Sequence, residues 1–557
     1  MARFVPPALP PAYALVLVLA VTAPLLAPGY LLLRDAVSTP RSYVSDAALG
    51  LSEAAPRALP QDFFVAVASS VVDGGVVVKS LLIAGLWLAG WGAARLAAAV
   101  VPESGVAGQC VATTIAVWNP YVAERLLQGH WSLLVGYGCL PWVAAAMLAI
   151  RTRPSWSVAA GLVFWIALAG LTPTGLMLAA TVALVCAFAP GDGWPRWRCA
   201  IFGMGVAVVA ALPWLVAAMV ARSLESSQAD GVAAFAARAE PGLGTLISLA
   251  GLGGIWNAEA VPASRTPLFA VVGTAVLLGV VTLGLPVVLR RRAAVPLLVL
   301  AAVALVVPAL MATGPGLALV EAAIRALPGL GVIRDGQKWV ALAVPGYALA
   351  GAAAVLTTRR WLPAAATAMV CCAALIATLP DLAWGAGGKV ASVQYPPGWA
   401  TVAEMINADP RPVAVLGVDS MRRFDWAGDA PVLDPLPRWV RAEVLSTGDL
   451  QIGDRIVYGE GQRAREVQEI LVESADRDAL ADAGVGWVVV ESSGAAEHLP
   501  LPVAYTDDEL TLYRIGGSSP GADGRGVVLA AHLAWLAILL VGGGAAVVTA
   551  VRGRRGR

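Results

Sequence analysis

Charge is scarce in this chain. Asp, Glu, Lys and Arg make up 13% of its 557 residues, about half the share found in soluble domains. With a mean hydropathy of +0.74 over that length, a soluble globular protein is excluded. Histidine is nearly absent: the three present lie far apart, which argues against a zinc or di-iron cluster. The three asparagines fall in Asn119-Pro120, Asn257-Ala258-Glu259 and Asn407-Ala408-Asp409, so no glycosylation sequon exists. The six cysteines all lie in or at the edge of apolar runs, so neither a disulfide framework nor metal-ligand spacing is expected. The net charge of +1 makes no electrostatic case for a nucleic-acid partner, and none is expected. The run Gly251-Leu252-Gly253-Gly254 has no Gly-Lys-Ser/Thr ending and is not a nucleotide loop.

Long apolar runs are what the chain has instead. Runs long enough to cross ~30 Å of hydrocarbon predict about twelve spans. They lie near residues 12–33, 76–100, 105–118, 131–150, 156–170, 174–190, 199–220, 267–289, 294–312, 338–356, 363–380 and 527–551. The first resembles a cleaved signal peptide, but its run is long for one, which favours a retained helix. With the N-terminus cytoplasmic, the clusters Arg151-Thr152-Arg153, Arg196-Trp197-Arg198, Arg290-Arg291-Arg292, Arg359-Arg360 and the tail Arg552–Arg557 all fall on the cytoplasmic side. That is the positive-inside pattern. The other face receives loops near 34–62, 119–130, 221–264 and 313–337, and a polar segment at 385–525.

The fold class is therefore mainly α. A polytopic transmembrane bundle occupies residues 1–384, a small extracytoplasmic α/β domain 385–525, and a last transmembrane helix with a basic cytoplasmic tail 526–557. The protein is expected in the plasma membrane, among membrane lipids, with both termini cytoplasmic. In the α/β domain, Pro412–Val418 reads as a strand, Arg463–Ala483 as a helix closed by Gly484, and Val485–Val490 as a strand. Val503–Tyr505 and Leu510–Ile515 read as a hairpin.

Chemistry is expected on the polar face. Asp35 closely follows the first run. It is either a general base at the membrane rim or a surface partner of Arg34. In Trp118–Trp131, Tyr121, Glu124, Arg125 and Gln128 share one helical face, with His130 and Trp131 just beyond. That face can hold a phosphate or sugar, or it is an interfacial helix with an aromatic belt. Arg334 and Lys338 lie four apart at the start of a late span. They either reach one anion together or form a helix-start cluster with Asp335 as the cap. Asp73 and Lys79, near or inside the second run, can pair only across a kink or an interfacial helix.

The stretch Asn119-Pro120-Tyr121-Val122-Ala123-Glu124-Arg125-Leu126-Leu127-Gln128-Gly129-His130-Trp131 resembles one found in bacterial polytopic glycosyltransferases of the GT-C superfamily. Arg334–Trp339 is similar to a segment before a late span of the same proteins. Gly484–Val490 with Asp508–Arg514 resembles their small extracytoplasmic domain. The Ala/Val/Gly/Arg-rich usage is similar to that of actinobacterial members, which build envelope arabinan and mannan. The resemblance implies a GT-C-like bundle, a polyprenyl-phosphate sugar donor, and an envelope glycan or lipid acceptor. It implies an inverting transfer with an acidic base in the first loop. Asp35 is the positional match, with Asp46 and Asp62 behind it. Many members carry an acidic pair there, whereas Asp35 has Arg34 and Ala36 as neighbours, so a divalent metal is left open. The same resemblance implies phosphate contacts from Arg125, His130, Arg334 and Lys338, and sugar stacking by Tyr121 and Trp131. Trp399, Trp426, Trp439 and Tyr458 either hold a glycan or form a core. A lipid-linked-sugar transporter or flippase, which needs polar groups through the bilayer centre, and a non-catalytic envelope-assembly protein are the rival readings.

Overall fold

Each apolar run becomes a helix, because in lipid only helices and closed barrels satisfy every backbone polar group. The computed structural model describes residues 8–52, 58–221, 231–417, 420–452, 455–491 and 499–555. Parts of the expected loops (53–57 and 222–230), the last residue of the expected strand (Val418) and the end of the basic tail (556–557) lie outside them.

Among the described residues, seven helices are long and apolar enough to cross a membrane. They are Leu9–Leu26, Gly74–Val100, Trp131–Thr152, Arg196–Val220, Phe269–Val288, Gly336–Thr357 and Arg525–Val548. Two bent pairs bring the number to nine: Val295–Met311 with Gly314–Ala326, bent by 92°, and Ala364–Ala377 with Pro380–Gly387, bent by 73°. The expected runs at 105–118, 156–170 and 174–190 form helices of 13, 14 and 15 residues, Gly105–Val117, Trp156–Ala169 and Pro173–Ala187. Each falls short of the roughly 20 residues a straight crossing needs. Twelve apolar helical segments are thus present, but not twelve full-length spans.

The first run ends earlier than its hydrophobicity suggests. Its helix stops at Leu26, followed by Pro28-Gly29, where Gly29 has φ +118° and a Cβ would lie 2.5 Å from the Val393 carbonyl oxygen. Tyr30–Leu33 is then a strand, paired antiparallel with Ala36–Val37 and with Ser392–Val393. Asp35 therefore sits in a turn between two strands rather than at the end of a span. Asp73 caps the Gly74–Val100 helix through the Val76 N–H (3.1 Å). The Lys79 ammonium donates to the Ala27 carbonyl (2.8 Å) and Ser392 Oγ (3.1 Å). Those two charges serve different contacts.

The segment after the Ala364–Gly387 pair forms a five-stranded sheet. Its order is Val503–Thr506, Leu510–Arg514, Trp487–Glu491, Val413–Val415, Val444–Leu445, and the last three strands are mutually parallel. The hairpin and both predicted central strands are present. The predicted long helix is two, Gln462–Glu473 and Arg477–Asp482. Ala475 at φ 47° breaks it, and Asp476 caps the second piece through the Asp478 and Ala479 N–H groups. Trp399 and Trp439 are buried in the core of this unit and Trp426 packs against it, while Tyr458 is exposed. The first three rings therefore belong to a core.

Candidate functional site

The site is built around an eight-residue elbow, Pro120–Leu127. Asn119 caps it: its Oδ1 accepts from the Val122 N–H (3.0 Å) and its amide donates to the Ile115 carbonyl (2.8 Å). Pro120 takes the first helical position, where a missing N–H costs nothing. The helix ends at Gly129, whose φ of +80° suits glycine and whose missing side chain lets the 33–36 turn approach. A Cβ there would meet the Leu33 carbonyl oxygen at 2.2 Å.

That turn is held from both sides. The Arg34 N–H donates to the Pro431 carbonyl (3.0 Å), and its own carbonyl accepts from the Leu433 N–H (2.9 Å). The Asp35 N–H donates to the Gln128 carbonyl (3.2 Å). The Arg34 guanidinium turns toward the Leu127 carbonyl (2.7 Å) and Glu259 (3.6 Å to the carboxylate). The expected surface pairing of Arg34 with Asp35 gives way to this buried anchor.

Asp35 Oδ2 instead accepts from Gln128 Nε2 (2.9 Å) and lies 3.0 Å from His130 Nε2. The other imidazole nitrogen, Nδ1, is 3.1 Å from Arg125 Nη1. An arginine only donates, so Nδ1 accepts and the neutral ring carries its proton on Nε2, aimed at Asp35. Arg125 grips Asp335 with two nitrogens (2.9 and 3.1 Å) and also donates to Gln337 Oε1. The Gln337 amide donates to Glu124 (2.9 Å), which also accepts from the Gly254 and Ile255 N–H groups (3.1 and 3.2 Å). Asn257 donates to Gln128 Oε1 (2.8 Å), fixing that amide so that its nitrogen faces Asp35.

The electrostatics follow from these contacts. Burial pushes the Asp35 carboxyl up, but the hydrogen bond from His130 and the positive charge that ring carries when protonated, with the Gln128 hydrogen bond and the charge of Lys338, outweigh it and hold it at about 2. Burial lowers the His130 pKa, and Arg125 and Lys338 add to that against the pull of Asp35. Burial likewise works against the Asp335 anion, but Arg125 and Lys338 win and hold it at about 2. The result is an ionised Asp35 beside a neutral His130. The Asp35 side chain keeps 37% of its surface exposed.

Several anticipated contact residues are interior. Tyr121, Glu124 and Arg125 are fully buried and Gln128 nearly so. The Tyr121 hydroxyl donates to the Lys338 carbonyl (3.2 Å), so its ring has no free face for a sugar. Arg125, committed to Asp335, Gln337 and His130, has no surface for a phosphate. Of these, Gln128 touches Asp35 and Arg125 touches His130. Trp131 begins the next helix, buried, against a cavity taken up below. Lys338 lies 3.8 Å from Asp335 with part of its side chain exposed, and Arg334 stacks over Phe235 at 4.2 Å. Asp335 is not the side-chain cap that the sequence allowed but the partner of Arg125. A fully buried arginine demands such a partner, but that burial is visible only in the structure, so neither Asp335 nor Gln337 nor Asn257 carried a signal in the sequence for its contact.

The other first-loop carboxylates lie elsewhere. Asp46 is paired with Arg525 and accepts from the Ala522 N–H (3.2 Å), tying the loop to the last helix. Asp62 pairs with Arg438 of the α/β unit (3.3 Å). Among the described residues, no group of three or more His, Cys, Asp or Glu side chains is placed to hold a metal ion. The Asp35 surroundings do not fit one either: Oδ2 is taken by N–H donors, and Lys338 adds like charge.

No protein-family model matches the chain. No curated protein matches it either. Among solved structures, a cryo-EM structure of the mycobacterial arabinofuranosyltransferase AftD is similar. It superposes with a TM-score of 0.53 at 16% identity over 92% of this chain. A point mutant of AftD gives a TM-score of 0.55 at 17% identity, again over 92%. The chain spans 40–41% of AftD's own length. At such identity the likeness concerns the fold alone.

Proposed function

We propose that the chain is a membrane glycosyltransferase that moves a sugar from a polyprenyl-phosphate donor to an envelope glycan or lipid on the extracytoplasmic face. Both termini are then cytoplasmic and residues 385–525 lie outside. One observation carries the reading. Asp35 is an ionised, partly exposed carboxylate held by two neutral N–H donors, where the first loop, the elbow and the α/β unit meet. Neutral donors orient the carboxylate without satisfying its charge, leaving it able to accept from a third group.

In the reaction, the acceptor hydroxyl oxygen bonds to the anomeric carbon as the bond to phosphate oxygen breaks, with inversion. The hydroxyl proton passes to Asp35. A carboxylate with so low a pKa is a weak base, which suits a late proton transfer, once the attacking oxygen has become acidic. Negative charge shifts to the departing polyprenyl phosphate, and Lys338, with Arg334 beside it, supplies compensating charge. The shared fold with AftD, whose reported activity is arabinofuranosyl transfer, makes a pentofuranose the first donor to try. The test is transfer from a radiolabelled polyprenyl-phosphate arabinofuranose by the purified protein in lipid. Wild type should transfer and Asp35→Asn should not. An equally active Asp35→Asn would remove the base, and an inactive wild type with arabinose and mannose donors alike would remove the reading.

A further inference from the structure

A cavity of about 180 Å³ lies between the first polar loop and the α/β unit. It has room for about six waters at ~30 Å³ each, roughly one sugar ring. The first loop contributes Ala47 and Asp62 to its lining and the α/β unit Arg438 and Ser446, with Trp131 of the membrane bundle beside them. Both halves of the molecule are therefore needed to form it.

Its charges are already balanced. Asp62 meets Arg438 at 3.3 Å, and Glu443, also in the lining, meets Arg463 at 3.2 Å. An ionic ligand would have to displace one of those partners. A neutral ligand rich in hydroxyls would add hydrogen bonds to them and to the lining hydroxyls of Ser42, Ser52 and Ser446 without displacing either pair. The cavity also borders the candidate site in the chain: Trp131 directly follows His130, and Val37, another lining residue, comes two positions after Asp35.

We infer that this cavity is a subsite for one neutral sugar residue of the acceptor glycan, set back from the residue being glycosylated. The inference rests on the transferase reading for its place in the reaction, but binding alone also tests it.

The experiment compares a short neutral arabinofuranosyl oligosaccharide with a single-residue alkyl arabinofuranoside as acceptors. Ala47→Phe fills the cavity from the first loop and Ser446→Phe from the α/β unit, while Ala47→Ser leaves it open. Filling should raise KM for the oligosaccharide about tenfold, equivalent to ~1.4 kcal/mol. It should leave kcat and the single-residue acceptor unchanged. Equal KM values in folded filled variants would overturn the subsite. Saturation-transfer NMR with the oligosaccharide on the whole protein in detergent separates the two readings. A signal in wild type that is lost in the filled variants supports the cavity even if no sugar is transferred. No signal in wild type overturns it even if transfer occurs.

Discussion

The first polar loop presents its carboxylates in two ways. Asp35 is held by an amide and a neutral imidazole. Asp46 and Asp62 are each held by an arginine, one from the last helix and one from the α/β unit. Arginine both orients a carboxylate and cancels its charge, whereas neutral donors only orient it. The same loop thus uses one chemistry to fasten the α/β unit and the last helix, and the other to keep a charge available. Composition counts Asp35, Asp46 and Asp62 as equivalent aspartates.

The largest expected effect breaks this contrast at its functional end. Asp35→Asn should lower the transfer rate by about 10²–10⁴-fold, the range for removing a general base, measured with radiolabelled donor, while Asp46→Asn stays close to wild type. Next comes the support. Arg125→Leu leaves Asp335 buried with only Lys338, 3.8 Å away, to offset its charge, which should cost up to about 3–5 kcal/mol, seen as a fall in Tm in detergent. Arg125→Leu with Asp335→Leu should recover much of that loss.

A smaller effect concerns pH. The His130 pKa is lowered on folding, so the unfolded chain binds its proton more readily. That contribution to stability is therefore present above the ordinary histidine pKa of about 6.5 and is lost as pH falls from there toward the folded value. Protonation would also place an Nδ1–H against the Arg125 guanidinium, so activity should decline on the same acid side. His130→Gln keeps an acceptor for Arg125 and a donor for Asp35 but cannot titrate. Its pH–rate profile should lose that acid limb, and a retained limb would assign the titration elsewhere. The smallest effect belongs to the fastening acids. Asp46→Asn should lower stability by about 1 kcal/mol or less, as expected for a partly exposed ion pair, read as a small Tm shift.

Much of the helical layout was legible because hydrophobic runs are local. So was the Val503–Arg514 hairpin. The end of the first helix was not: Tyr30–Leu33 is as apolar as any span, and only its pairing with Ser392–Val393, some 360 residues away, makes it a strand. The elbow face, which the sequence leaves open to a ligand or to an interfacial position, is turned inward. Its true partners, Asp335 and Gln337, lie 210 and 212 positions from Arg125. Side-chain direction between elements so distant leaves no local trace. Asp335 appeared only as a helix cap for the same reason.

The Arg34 backbone is bonded to Pro431 and Leu433 as one strand is to the next. The residue before the proposed base is thus stitched to a segment almost 400 positions downstream. Grafting a different α/β unit onto this bundle would exchange not an accessory but part of the active-site wall. A chimera that omits Pro431–Leu433 should therefore lose the alignment of Asp35 even when every membrane helix is intact.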